Sequence, residues 1–134
     1  MPIKMHKDSI LVEIKEILSE IEGIDYAYLF GSALKRLLPD SDIDILLGGD
    51  FDFDRRTSLA MELALRLKRN VDLVLAKEAS YELILNALSQ GRPIVINNRD
   101  FLKRDYFKSY FLFDANTPLR EIRRHRVKEK YLHD

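Results

Sequence analysis

Apolar residues recur at three- and four-residue intervals through Ile10, Leu11, Ile14, Ile17, Leu18 and Ile21, between candidate caps at Asp8 or Ser9 and a stop at Gly23. That period predicts one helix with a core-facing stripe. Beyond Gly23 the chain breaks into short runs rich in β-branched and aromatic residues, which predict strands at about 26–30, 42–47, 71–76 and 93–97. Helical spacing returns at about 54–69 and 79–90. Strands alternating with helices predict an α/β sandwich. It forms one domain over 1–134, with a core at about 9–98 and a C-terminal helical extension at about 99–134.

The composition narrows the classes. A chain of 134 residues, 46% hydrophobic, can bury one core and is too short for a second. Its 22 basic and 22 acidic side chains cancel, so no overall field draws it to long nucleic acid. There are no cysteines, which removes disulfides and thiolate metal sites. No N-terminal apolar stretch is long enough for export or spanning, so the expected location is the cytoplasm and no membrane partner is expected.

Chemistry concentrates around two strands. In Asp42-Ile43-Asp44-Ile45 the period of two puts both carboxylates on one face and sends Ile43, Ile45 and Leu47 to the other, into the core. Carboxylates that close resist joint ionisation unless a cation lies between them. Mg²⁺ takes one or two such oxygens and completes its octahedron with water and substrate phosphate. Gly31 and Ser32 end the preceding strand; without a Cβ at Gly31 the backbone can approach a phosphate, and a short helix over 33–38 would aim N–H groups at it. Lys35 and Arg36 follow, either against phosphate or in solvent. Asp72 interrupts the apolar run from Val71 to Leu75, where an unpaired charge is costly; it is a third metal ligand, a base, a turn residue or an ion-pair partner.

Other features carry less. The run Asp50-Phe51-Asp52-Phe53-Asp54 begins like a calcium loop, yet Arg55 stands where glycine is needed and Met61 where a bidentate Glu is needed. Asp52 or Asp54 is instead expected to cap the next helix. Phe101, Tyr106, Phe107, Tyr110, Phe111 and Phe113 crowd one helix that either closes over the sheet or faces a partner. Thr117-Pro118 predicts a final helix with a basic face of Arg120, Arg123, Arg124, Arg126, Lys128 and Lys130. His6, His125 and His133 have no companion ligands in sequence.

Gly31-Ser32, nine intervening residues, and Asp42-Ile43-Asp44 together resemble the signature of the DNA polymerase β-type nucleotidyltransferase superfamily, and the short chain resembles its minimal nucleotidyltransferase (MNT) branch. Asp72 matches that branch's third acid, and 91–96 is similar to its closing helix-to-strand segment. Where the branch often has Arg-Gly, this chain has Lys35-Arg36. The resemblance implies a mixed-sheet nucleotidyltransferase fold of about four strands flanked by helices. It implies transfer of AMP from ATP, with two Mg²⁺ held by Asp42, Asp44 and Asp72 and the nucleotide held by Gly31, Ser32, Lys35 and Ser41. It further implies an antitoxin in a hetero-oligomer with a HEPN-family ribonuclease toxin, adding AMP to a tyrosine of that toxin. The alternative is a non-catalytic antitoxin or adaptor that binds its partner through the C-terminal helices.

Overall fold

A computed structural model describes residues 7–34 and 41–115. The elements are α1 (Lys7–Leu18), β1 (Ile24–Phe30), β2 (Ile43–Gly49), α2 (Phe53–Leu67), β3 (Val71–Leu75), α3 (Tyr81–Gln90), β4 (Arg92–Ile96) and α4 (Arg99–Ala115). One mixed sheet runs in the order β3-β2-β1-β4. β1 is antiparallel to β2 and β4, while β2 and β3 are parallel, with α2 as the crossover a parallel pair requires.

Alternation along the strands sorts two cores. Ile43, Ile45 and Leu47 of β2 and Leu73 and Leu75 of β3 pack with Ile14 and Leu18 of α1 and with Leu59, Leu63 and Leu67 of α2. The last three recur every fourth residue and form one buried stripe. On the other face Tyr26, Tyr28, Leu46 and Ala76 meet Ile84 and Ala87 of α3, and Leu102 of α4 packs against them. Tyr26 is fully buried; its ring occupies the space that a Cβ on Gly48 would take, and its hydroxyl donates to Asp105 Oδ2 of α4 at 2.7 Å.

Helix starts follow local capping. Asp52 caps α2, accepting from Arg55 N at 2.7 Å, so the acidic run serves the helix, and Phe51 within it is buried. Ser80 caps α3 and Asn98 Oδ1 accepts from Phe101 N in the first turn of α4. The first helix departs from expectation. It begins at Lys7, before both Asp8 and Ser9, and ends at Leu18. There Glu20 N bonds Ile17 O (3.3 Å) and Ile21 N bonds Leu18 O (3.1 Å), a tightened turn that ends the helix before Gly23. The strands also shift by one or two residues: β1 starts at Ile24 because Ile24 finds a partner in Gly49. The expected final basic helix lies outside the described residues. Among the described residues no helix is long and apolar enough to cross a membrane.

Candidate active site

The predicted acids assemble where β1 ends and β2 and β3 begin. Parallel register places Asp44 beside Asp72, and antiparallel register places Phe30, the last residue of β1, across from Asp44. Asp42 immediately precedes β2. Because Ile43, Ile45 and Leu73 enter the first core, all three carboxylates lie on the opposite face, the one that α3 and α4 partly cover. Asp42 and Asp72 are exposed and Asp44 is half-buried, so the group is open to a ligand.

Gly31 closes the site from the β1 side. Its φ is +85°, and a Cβ there would overlap Asp44 Oδ2 and lie 3.2 Å from Asp44 Cγ. Glycine is required twice over: by the left-handed backbone and by the carboxylate against it. Ser32 is exposed and opens a single 3-10 turn, Ser32–Leu34, in which Leu34 N bonds Gly31 O at 3.2 Å. The expected helix over 33–38 is thus a 3-10 turn as far as Leu34, and Lys35 and Arg36 lie outside the described residues.

Electrostatics mark Asp44. Burial, and then the charges of Asp72 and Asp42, raise its carboxyl above the ordinary 3.8. Among the described residues no three His, Cys, Asp or Glu side chains are gathered so that they alone could hold a metal ion. The donor set nevertheless fits Mg²⁺: it is all carboxylate oxygen, it carries unrelieved like charge around Asp44, and this ion draws most of its ligands from water and phosphate. The three histidines lie outside the described residues.

Two residues on the approach to β3 escape notice in the sequence. Asn70 Nδ2 donates to Asp42 Oδ1 at 3.4 Å, while its carbonyl accepts from Ile43 N at 2.9 Å. Arg69 Nη1 donates to the Ser41 carbonyl at 3.4 Å. Together they tie the segment bearing Ser41 and Asp42 to the strand bearing Asp72. Ser41 itself is half-buried beside the acids. Asn70 directly precedes the Val71-Asp72 pair, which is the one signal of this role in the sequence.

A family model described as polymerase beta, nucleotidyltransferase, matches residues 12–100. Several solved structures are similar. One is a toxin-antitoxin with AMP-PNP, 27% identical over 87% of this chain and 97% of that one, TM-score 0.71. Another is a tri-AMPylated HEPN toxin from Shewanella oneidensis in complex with MNT antitoxin, 26% identical over 91% of this chain and 98% of that one, TM-score 0.70. A third is the toxin-antitoxin MntA-HepT, 25% identical over 90% and 98%, TM-score 0.68. No curated protein sequence matches the chain significantly.

Proposed function

Since this chain belongs to the polymerase beta nucleotidyltransferase family, we propose that it transfers AMP from Mg²⁺-bound ATP to a tyrosine of a partner HEPN ribonuclease and thereby acts as its antitoxin. The observation that carries this reading is the set Asp42, Asp44 and Asp72 on one open sheet end, with Gly31 pressed against Asp44. Support for the partner comes from the structural relatives: a toxin-antitoxin with AMP-PNP and an AMPylated HEPN toxin bound to its antitoxin. The site of action on this reading is the cytoplasm, where ATP and Mg²⁺ are abundant.

Each residue has a task. Gly31 lets the backbone come close to the triphosphate, and Ser32 offers a hydroxyl donor beside it. Asp42 and Asp44 would hold the metal, with Asn70 orienting Asp42; Lys35 and Ser41 are assigned to the nucleotide. Bound Mg²⁺ supplies charge neutralisation at the α-phosphate and at the departing pyrophosphate. The tyrosine oxygen forms a bond to the α-phosphorus, the bond from that phosphorus to the bridging oxygen breaks, and pyrophosphate leaves. Asp72, exposed and in register with Asp44, takes the phenolic proton.

The experiment is transfer of α-labelled ATP with Mg²⁺ to the HEPN protein by wild type and by Asp42→Asn/Asp44→Asn. Label on a partner tyrosine with wild type alone supports the reading; tight complex formation without label from either would replace it with inhibition by contact. One observation favours that second reading: Phe107, Tyr110 and Phe111 of α4 are 62%, 53% and 71% exposed, an apolar surface suited to a partner.

A further inference from the structure

The α3 and α4 layer contains a cleft that nucleotide transfer does not use. It opens between residues 76–81, which lead into α3, and the row Arg104, Lys108 and Leu112 on α4, and it encloses about 610 Å³. Ala76 shares a sheet face with Asp72 and Val74 and lies four residues further along the strand direction, so the cleft begins about 13 Å from Asp72 at about 3.3 Å per residue. It is a separate place on the molecule.

Its charge is one-sided. The walls carry Lys77, Arg104 and Lys108 against a single acid, Asp105. Both oxygens of Asp105 are engaged, Oδ2 by the Tyr26 hydroxyl at 2.7 Å and Oδ1 by Arg104 Nε and Nη2 at 3.2 and 3.1 Å. Arg104 therefore balances Asp105. Lys77 and Lys108 are exposed, and neither enters a salt bridge found among the described residues. Two unbalanced cations thus stand over an apolar floor that includes Ile84 and Leu112.

The rim extends this surface beyond the size of a small anion. Phe107 and Phe111 each follow a member of the cationic row by three residues, Arg104 and Lys108 respectively, so on the helix they are its neighbours. Both are strongly exposed, and Leu112, 40% exposed, belongs to cleft and rim alike. Exposed aromatic residues and Arg are the side chains enriched at protein-binding patches, and Phe107 stands beside Arg104 on this helix, with Phe111 one turn further on.

We propose that the α3–α4 cleft docks an acidic segment of the protein partner, with its carboxylates entering between Lys77 and Lys108 and its apolar side chains covering Phe107 and Phe111. This rests on the partner reading above and adds where the partner is gripped: on the acid-bearing face, at the far end, leaving Asp42, Asp44 and Asp72 open to the acceptor side chain.

The test is the affinity of full-length Lys77→Glu/Lys108→Glu for the HEPN protein, by calorimetry at low and moderate salt. The Kd is expected to rise by at least about 30-fold at low salt, and the salt dependence seen with wild type is expected to vanish. Mg²⁺-ATP affinity and the melting temperature stay as in wild type, because neither lysine touches the acids. With the HEPN protein in saturating excess, transfer by the variant stays within about twofold. Equal partner affinity of wild type and variant overturns the inference alone; no binding by wild type overturns the functional reading and this inference with it. Competition by millimolar inorganic phosphate for the wild-type surface, abolished in the variant, would assign the cleft to a free phosphate ligand. A wild type that self-associates where the variant is monomeric would assign it to a second copy. Either result overturns the proposal.

Discussion

A methyl group on Gly31 would meet Asp44 in a backbone conformation, φ +85°, that side-chain-bearing residues adopt only with strain of about 1 kcal/mol or more. Gly31→Ala is therefore expected to displace the Asp44 carboxylate, lowering the rate of AMP transfer by at least about tenfold in single-turnover assays while costing only a few degrees of melting temperature. Asp44 allows a second prediction, on stability. Burial and the charges of Asp72 and Asp42 raise its native pKa above 3.8, so the native state binds this proton more tightly than the unfolded chain does. In metal-free buffer that makes stability fall as pH climbs from 3.8 through the raised native value, with the whole cost present above it. Asp44→Asn should then melt above wild type at pH 7 in EDTA, with the gap closing as pH drops toward 3.8, measured by differential scanning calorimetry. A variant melting at or below wild type at pH 7 would mean that neither burial nor the charges of Asp72 and Asp42 strain the Asp44 carboxylate.

Between elements, the contact that anchors α4 on the sheet is the bond from the Tyr26 hydroxyl to Asp105. Tyr26→Phe removes a donor to a charged acceptor whose side chain is only 17% exposed, so a loss of about 1.5–3 kcal/mol is expected in urea denaturation. Gly48→Ala should cost more than Tyr26→Phe, because its Cβ would lie 2.6 Å from Tyr26 Cδ2 and the phenylalanine ring would not relieve it. None of this is visible along the chain, and the reason is distance: Tyr26 and Asp105 are 79 residues apart, and Asn70 and Asp42 are 28 apart. What is legible is local or periodic. Alternation placed Asp42 and Asp44 on one face and Ile43, Ile45 and Leu47 in the core, and the acids at 52 and 54 offered two caps for α2, of which Asp52 is the one used. Strand ends were legible within a residue or two, since Ile24 joins β1 through Gly49, a partner chosen by the fold, whereas α1 ends at Leu18, several residues before the expected stop at Gly23. The aromatic run of α4 left its own question open. Burial of Ser109 and packing of Leu102 now assign the inner side, leaving Phe107, Tyr110 and Phe111 outward.

For the whole molecule, the site and the sheet are one cooperative unit, since β1, β2 and β3 each contribute their ends to the acids and their middles to both cores. A ligand that binds only this assembled arrangement must raise the stability of the entire domain, by about 2.7 kcal/mol at one hundred times its Kd. Mg²⁺-ATP is expected to have that effect on wild type, and ATP in EDTA a much smaller one, because the acids repel the triphosphate unless a cation lies between them. Asp42→Asn/Asp44→Asn reverses both halves of the comparison. Without ligand it should melt above wild type, relieved of its buried and mutually repelling charges, and with Mg²⁺-ATP it should gain little, having lost the carboxylates proposed to hold the metal. The crossing of the two curves, read from melting temperature against Mg²⁺-ATP concentration, separates a metal-dependent nucleotide site from a merely strained acidic cluster. A cluster kept only by the fold would give the first half without the second: the variant would be stabilised, yet wild type would not respond to the metal-bound nucleotide.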